Sequence, residues 1–196
     1  MGDSVTDCGR VYARPDDLGQ GYPLKVASFL AAFRASLGVK VVNRGVNGNR
    51  VRDLAARWQK DCLDFHPDLV SILIGINDCW RRFDENDPTS PEEYERDYRA
   101  ILEQTKRAGA KILILEPFVL PYPADRLGWR FDLDPKIQVA RRLAREYADA
   151  LLPLDGIFAQ AVNSADPQLY SADGVHPTDA GHALIALEWL RAAGVL

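Results

Sequence analysis

The 196 residues predict an α/β fold of three layers, with a mostly parallel sheet packed between helices. Two observations carry this. The runs "PDLVSILIGIND" (67–78) and "AKILILEPF" (110–118) are continuously apolar at their centres, as strands covered on both faces are. They also alternate with stretches of helical periodicity, the order in which crossover helices join parallel strands.

Element by element, "LKVASFLAAFRASL" (24–37) repeats apolar residues at helical spacing and stops at Gly38, a good helix terminator. "VKVVNRG" (39–45) is β-branched and ends in Gly, which predicts a short strand. "RVRDLAARWQKDCLD" (50–64) is a second amphipathic helix, and the buried strand at 67–78 follows. Residues 90–109 open with Ser-Pro and acidic residues and close with Lys-Arg-Ala-Gly, helix signals in the right order. After the strand at 110–118 comes a Pro- and aromatic-containing loop at 119–133, long enough to suggest function. A helix (134–150), a strand (151–155), a short helix (156–165), a loop (166–178) and a last helix (179–194) complete one domain. Neither a repeat nor a linker interrupts it.

Composition narrows the function classes. Hydrophobic residues make up 47% and charged residues 27%, with a net charge of −4. An acidic chain of this kind offers no footprint for nucleic acid or anionic lipid, and no apolar run approaches the roughly 18 residues of a membrane span. Cys8, Cys62 and Cys79 are an odd count without a C-x-x-C pair. They suit reduced thiols in the cytoplasm rather than a disulfide frame or a metal site.

Parallel α/β sheets bind ligands beyond the carboxyl ends of their strands. Those ends carry Gly45–Asn49, Gly75–Asp78, Glu116–Pro117 and the loop leading to Asp173–His176. A serine nucleophile needs a base, a carboxylate to orient the base, and donors for the oxyanion. Ser4 stands in "MGDSVTDCGR". Of three histidines, His66 suits a cap and His182 helix packing, while His176 lies in a loop three residues after Asp173. Gly48 and Asn77 are candidate donors, and Asp53 and Asp78 suit helix caps. Each fragment alone also has a plain reading as a turn or a cap. The G-x-S-x-G elbow is absent, since Thr6 stands where its second Gly would be.

Together, in order, Gly-Asp-Ser, Asn-x-Gly-x-x-Gly, Gly-x-Asn-Asp and Asp-x-x-His resemble the blocks of the SGNH hydrolases, also called GDSL esterases. "GDSVTDCGR", "VVNRGVNGNRVRDLAARW" and "SILIGINDCWR" are most similar to the acetyl-xylooligosaccharide esterase branch. The resemblance spans essentially the whole chain. It implies a flavodoxin-like sheet and two-step ester hydrolysis without metal or organic cofactor. Ser4 would be the nucleophile, His176 the general base and Asp173 its orienting carboxylate. The Ser4 N–H, the Gly48 N–H and the Asn77 amide would form the oxyanion hole. The implied substrate is a small acyl ester, with acetylated oligosaccharide preferred, and the branch suggests a homo-oligomer. Trp80, Trp129 and Tyr170, read as loop residues near the cleft, are candidate sugar-packing faces, whereas Trp58 and Trp189 suit core packing. Rival readings are a lysophospholipase or short-chain acyl esterase of the same family, and a carbohydrate-binding protein without catalysis.

In the family a central first strand precedes the nucleophile, between the segments 39–45 and 68–76. Only three residues precede Ser4 here. A missing strand would leave a gap of roughly 9–10 Å with unpaired backbone on both sides, so the expectation is an N-terminally truncated sequence.

Overall fold

Three parallel strands lie side by side in chain order in the computed structural model, which describes residues 1–196: β1 (Leu69–Leu73), β2 (Lys111–Leu115) and β3 (Ala150–Leu152). Leu69 pairs with Lys111 and Leu73 with Leu115, then Leu113 with Ala150 and Leu115 with Leu152. Successive side chains leave a strand on opposite faces. Val70, Ile72, Ile112 and Ile114 therefore enter one core, and Leu73, Leu113, Leu115 and Leu152 enter another. Burial on both faces is why these strands are apolar throughout.

The helices are α1 (Ser4–Asp7), α2 (Tyr22–Phe33), α3 (Val51–Asp61), α4 (Ile76–Asp84), α5 (Pro91–Arg107), α6 (Arg130–Tyr147), α7 (Leu154–Val162) and α8 (Asp179–Ala192). The first core is covered by α3, α5 and α6 through Trp58, Tyr94, Tyr98, Ile101 and Leu143. The second is covered by α2, α7 and α8 through Val26, Leu30, Phe158, Ile185 and Leu190. Trp58 is fully buried and donates its indole N–H to Thr105 Oγ1 at 3.1 Å. Trp189 is partly buried against the second core and donates to Ser71 Oγ at 2.9 Å. Ser90 starts α5 as expected, and does so in a capping box, its hydroxyl accepting the Glu93 N–H at 3.1 Å. No helix is long and apolar enough to cross a membrane, and all three cysteines are free.

Three expectations need correction. Residues 39–45 do not form a strand; the segment contributes one isolated bridge, Gly45 to Gly2. Gly2 also bridges Leu73, with Val46 N–H donating to Gly2 at 3.1 Å and Leu73 N–H to Met1 at 3.2 Å. Propensity alone cannot make a strand without a neighbour's N–H and C=O groups. Within the segment only Gly45 finds such a partner, in Gly2. Second, the apolar run at 67–78 is strand only to Leu73; Gly75 (φ 132°) turns the chain, and Asn77 lies in the first turn of α4. Third, α6 begins at Arg130, so Pro135 sits inside it, preceded by a 3₁₀ turn at Ala124–Trp129. Buried polar contacts hold that early turn: Asp132 accepts from Lys136 Nζ at 2.7 Å and Arg82 Nε at 2.6 Å. They offset the hydrogen bond that proline forgoes.

Just past β2, Glu116 is fully buried and accepts from Arg141 Nε at 2.6 Å and Nη2 at 3.2 Å. Removing one partner of a buried pair strands the other charge. Arg141→Met is therefore expected to cost about 3 kcal/mol, the lower end of the usual range because Arg141 is partly exposed. Adding Glu116→Gln should recover part of that loss in urea denaturation.

Candidate active site

Ser4 opens α1 directly beyond the Gly2 bridges, so the sheet itself fixes its position. Asp3 caps this short helix, its Oδ1 accepting the Val5 N–H at 3.0 Å. Burial pushes the Asp3 carboxyl up to about 7, against the lowering effect of that bond. Sequence reasoning gave Asp3 no role; an Asp ahead of a helix start was the available signal.

Ser4 Oγ lies 2.9 Å from His176 Nε2, and His176 Nδ1 lies 2.6 Å from Asp173 Oδ2. An ionised carboxylate only accepts, so Nδ1 carries the proton and Nε2 is left to accept from Ser4. The turn joining Asp173 to His176 wraps around the other carboxylate oxygen. Asp173 Oδ1 accepts the backbone N–H groups of Val175 at 2.9 Å and His176 at 2.7 Å. Ser171 O–H donates to the His176 carbonyl at 2.8 Å. Partial burial pushes the Asp173 carboxyl up, but the hydrogen bonds from the His176 ring and from both N–H groups outweigh it. They hold it well below the usual carboxylate range. The bond to Asp173 raises the His176 imidazole above its ordinary value, against the effect of burial.

Two of the candidate oxyanion donors sit on segments joined by a hydrogen bond. Gly48 (φ 77°) occupies the third position of a turn closed by Asn49 N–H to Val46 at 3.2 Å, a place that favours glycine. Buried Asn77 donates one amide hydrogen to the Asn49 carbonyl at 3.1 Å, tying α4 to that turn and leaving its second N–H for a ligand. Asp53 caps α3 as expected, accepting the Arg50 N–H at 2.8 Å. Asp78 also serves α3, accepting the Val51 N–H at 3.1 Å, and burial pushes its carboxyl up to about 7.

Of the other two imidazoles, only His182 lines the cavity beside Ser4 and His176. His66 ends a 3₁₀ turn in a left-handed conformation. His182 is buried, takes the Tyr22 N–H on Nδ1 at 3.1 Å and meets Cys8 Sγ at 3.2 Å; burial lowers it to about 4. Among the three aromatic candidates, Trp80 reaches the site, its ring 5.8 Å from that of His176, but from α4 rather than a loop. Trp129 is buried behind it, with ring centroids 5.2 Å apart. Tyr170 packs edge-on against Phe158.

Beside Ser4 and His176 opens a cavity of about 560 Å³ whose walls include Asp7, Arg10, Tyr12, Gln20 and Asn47. Tyr12 O–H and Asn47 N–H both donate to Asp7 Oδ2, the latter at 3.0 Å. None of these five was singled out from sequence, although Asp7 follows Ser4 by one turn of α1. No group of three or more His, Cys, Asp and Glu side chains is placed to hold a metal ion.

Residues 1–184 match the model of the GDSL-like lipase/acylhydrolase family. An acetylxylan esterase from Geobacillus stearothermophilus is 36% identical over 204 residues, covering 99% of this chain and 92% of the relative. A crystal structure of a catalytic mutant of an acetylxylan esterase from the same organism superposes with a TM-score of 0.90 at 34% identity, covering 98% of this chain and 91% of the other. In the mutants described as catalytic, a histidine, a serine and an aspartate are each replaced by alanine. An alpha/beta hydrolase enzyme from the metagenome of Lake Arreo, Spain, superposes with a TM-score of 0.92 at 34% identity, covering 100% of this chain and 92% of the other. The chain belongs to the GDSL-like lipase/acylhydrolase family and is a carboxylic ester hydrolase.

Proposed function

We propose that the chain removes acetyl groups from sugars, xylooligosaccharides among them, through an acyl-enzyme on Ser4. The observation that carries this reading is the hydrogen-bonded run Ser4–His176–Asp173 opening on a polar cavity. A volume of about 560 Å³ suits a small molecule or a short oligosaccharide. Walls of carboxylate, guanidinium, phenol and amide suit an alcohol rich in hydroxyls; a long acyl tail would desolvate those groups and offer no hydrogen bond in return. Trp80 offers a flat apolar face beside His176, with ring centroids 5.8 Å apart. The free thiols fit a cytoplasmic setting.

In the first step His176 Nε2 takes the Ser4 proton while Oγ bonds to the acyl carbon. The negative carbonyl oxygen is met by the Ser4 N–H, the Gly48 N–H and the free Asn77 amide hydrogen. Imidazolium beside ionised Asp173 then hands its proton to the leaving sugar oxygen, and the alcohol departs. Water attacks the acyl-enzyme with His176 again as base, releasing acetate and restoring Ser4.

Ser4→Ala and His176→Ala are expected to abolish measurable turnover of acetylated xylooligosaccharide, and Asn77→Ala to lower kcat by about 10²–10³; full activity in purified Ser4→Ala would sink the mechanism. The base works only when neutral, and Asp173 raises its pKa above the ordinary 6.5. So kcat/KM should fall as pH drops through a value above 6.5, and Asp173→Asn should move that limb to lower pH. Against a panel of substrates, sugar acetates should be cleaved well ahead of lysophospholipid and medium-chain acyl esters. The reverse order would favour the lipase reading, and no labelling of Ser4 by a serine-reactive phosphonate would favour a sugar-binding role.

A further inference from the structure

Residues 171–177 carry both the base and its carboxylate, and little of what holds them lies in their own element. They stand in an irregular stretch between a 3₁₀ turn and α8. Asp173 Oδ1 and Ser171 set the internal shape of the turn, but not its distance from Ser4. Hydrogen bonds from elsewhere come from the segment after β2. Leu120 N–H donates to the Gly174 carbonyl at 2.9 Å, and Arg126 Nε–H donates to the Asp173 carbonyl at 3.0 Å. Apart from Ser4 itself, Arg126 is the one distant side chain hydrogen-bonded to this turn.

The Arg126 side chain is only 14% exposed. Its guanidinium carbon lies 4.2 Å from the Trp129 ring centroid and 5.5 Å from that of Trp80, the indole beside His176. One nitrogen pairs with Asp125 at 2.6 Å, which keeps the plane in place. The fit extends to the backbone: a Cβ added to Gly174 (φ 83°) would come within 2.0 Å of the Tyr122 carbonyl oxygen and 3.2 Å of Arg126 Cγ. Turn, loop and Trp80 therefore meet at one guanidinium.

We infer that Arg126 is a positioning residue, which sets the Asp173–His176 turn against Ser4 and holds Trp80 beside His176. The inference rests on the triad reading above. A lysine could donate only one compact set of hydrogen bonds and lacks the flat face that lies over two indoles. The internal Asp173–His176 contact does not depend on Arg126, so its loss should alter where the base stands and leave its titration alone.

Variants can be compared on 4-nitrophenyl acetate. Arg126→Met keeps an apolar stem over the indoles and loses the donor. We expect kcat to fall by about 10- to 100-fold, as displacement of a catalytic group by about 1 Å can do, with KM within about twofold. The acid limb of the pH–rate profile should stay where wild type has it. Arg126→Lys should retain intermediate kcat, and methylguanidinium should raise kcat in Arg126→Ala but not in Ser4→Ala. An Arg126→Met enzyme with wild-type kcat beside an inactive Ser4→Ala would overturn the positioning role and leave the triad standing. Full activity in Ser4→Ala would overturn the triad reading first. If Arg126→Met fails to fold, Arg126→Lys decides, since wild-type kcat there would show that the guanidinium is not what places the turn.

Discussion

A single contact of 2.9 Å joins Ser4, near one end of the chain, to His176, which lies 172 residues further on. No local interaction can set that distance. It is the result of two anchorages, and the rest of the structure serves them. Ser4 is held by the sheet, because Gly2 bridges Gly45 on one side and Leu73 on the other before α1 begins. His176 is held by a turn whose own hydrogen bonds converge on Asp173 and whose Val175 is buried in a small core with Ile76, Cys79, Val119, Trp129, Leu133 and Ile137.

That small core lies at the carboxyl edge of the sheet and unites three functional pieces. Ile76 belongs to the first turn of α4, next to Asn77 of the candidate oxyanion hole. Val119 and Trp129 bracket the segment that carries Arg126, and Val175 sits between the carboxylate and the base. Apolar packing and polar chemistry are thus coupled at short range. A close-packed interior transmits small displacements, so a change of volume here would be felt at the reacting atoms. The two larger cores above and below the sheet bear on the fold as a whole.

Electrostatic division of labour follows from burial and partners. Asp173 collects enough hydrogen bonds to stay ionised and raises His176. Asp3 and Asp78 are buried with fewer donors and are pushed up to about 7. Two histidines lie near the cavity, and only His176 meets a serine hydroxyl. His182 has committed Nδ1 to the Tyr22 N–H and is lowered by burial, while His176 presents Nε2 to a hydroxyl. The chemistry is set by environment, since the side chains are the same.

From its residues alone this chain declared a parallel α/β sheet, because strands buried on both faces must be apolar throughout, and its ordered blocks pointed to Ser4, Gly48, Asn77, Asp173 and His176. The helix start at Ser90 was legible because capping chemistry is local, whereas the helix expected to run to Gly38 ends at Phe33, and Gly38 closes the 3₁₀ turn that follows. Three things were decided only by tertiary structure. Residues 39–45 had strand propensity but paired only at Gly45, and Trp129 had an aromatic face but lay behind Trp80. Arg126 and the cavity walls at Asp7, Arg10, Tyr12, Gln20 and Asn47 carried no sequence signal that set them apart. Periodicity and capping report forces between near neighbours in the chain, whereas strand pairing, side-chain orientation and the meeting of distant loops depend on contacts that exist only once the chain has folded.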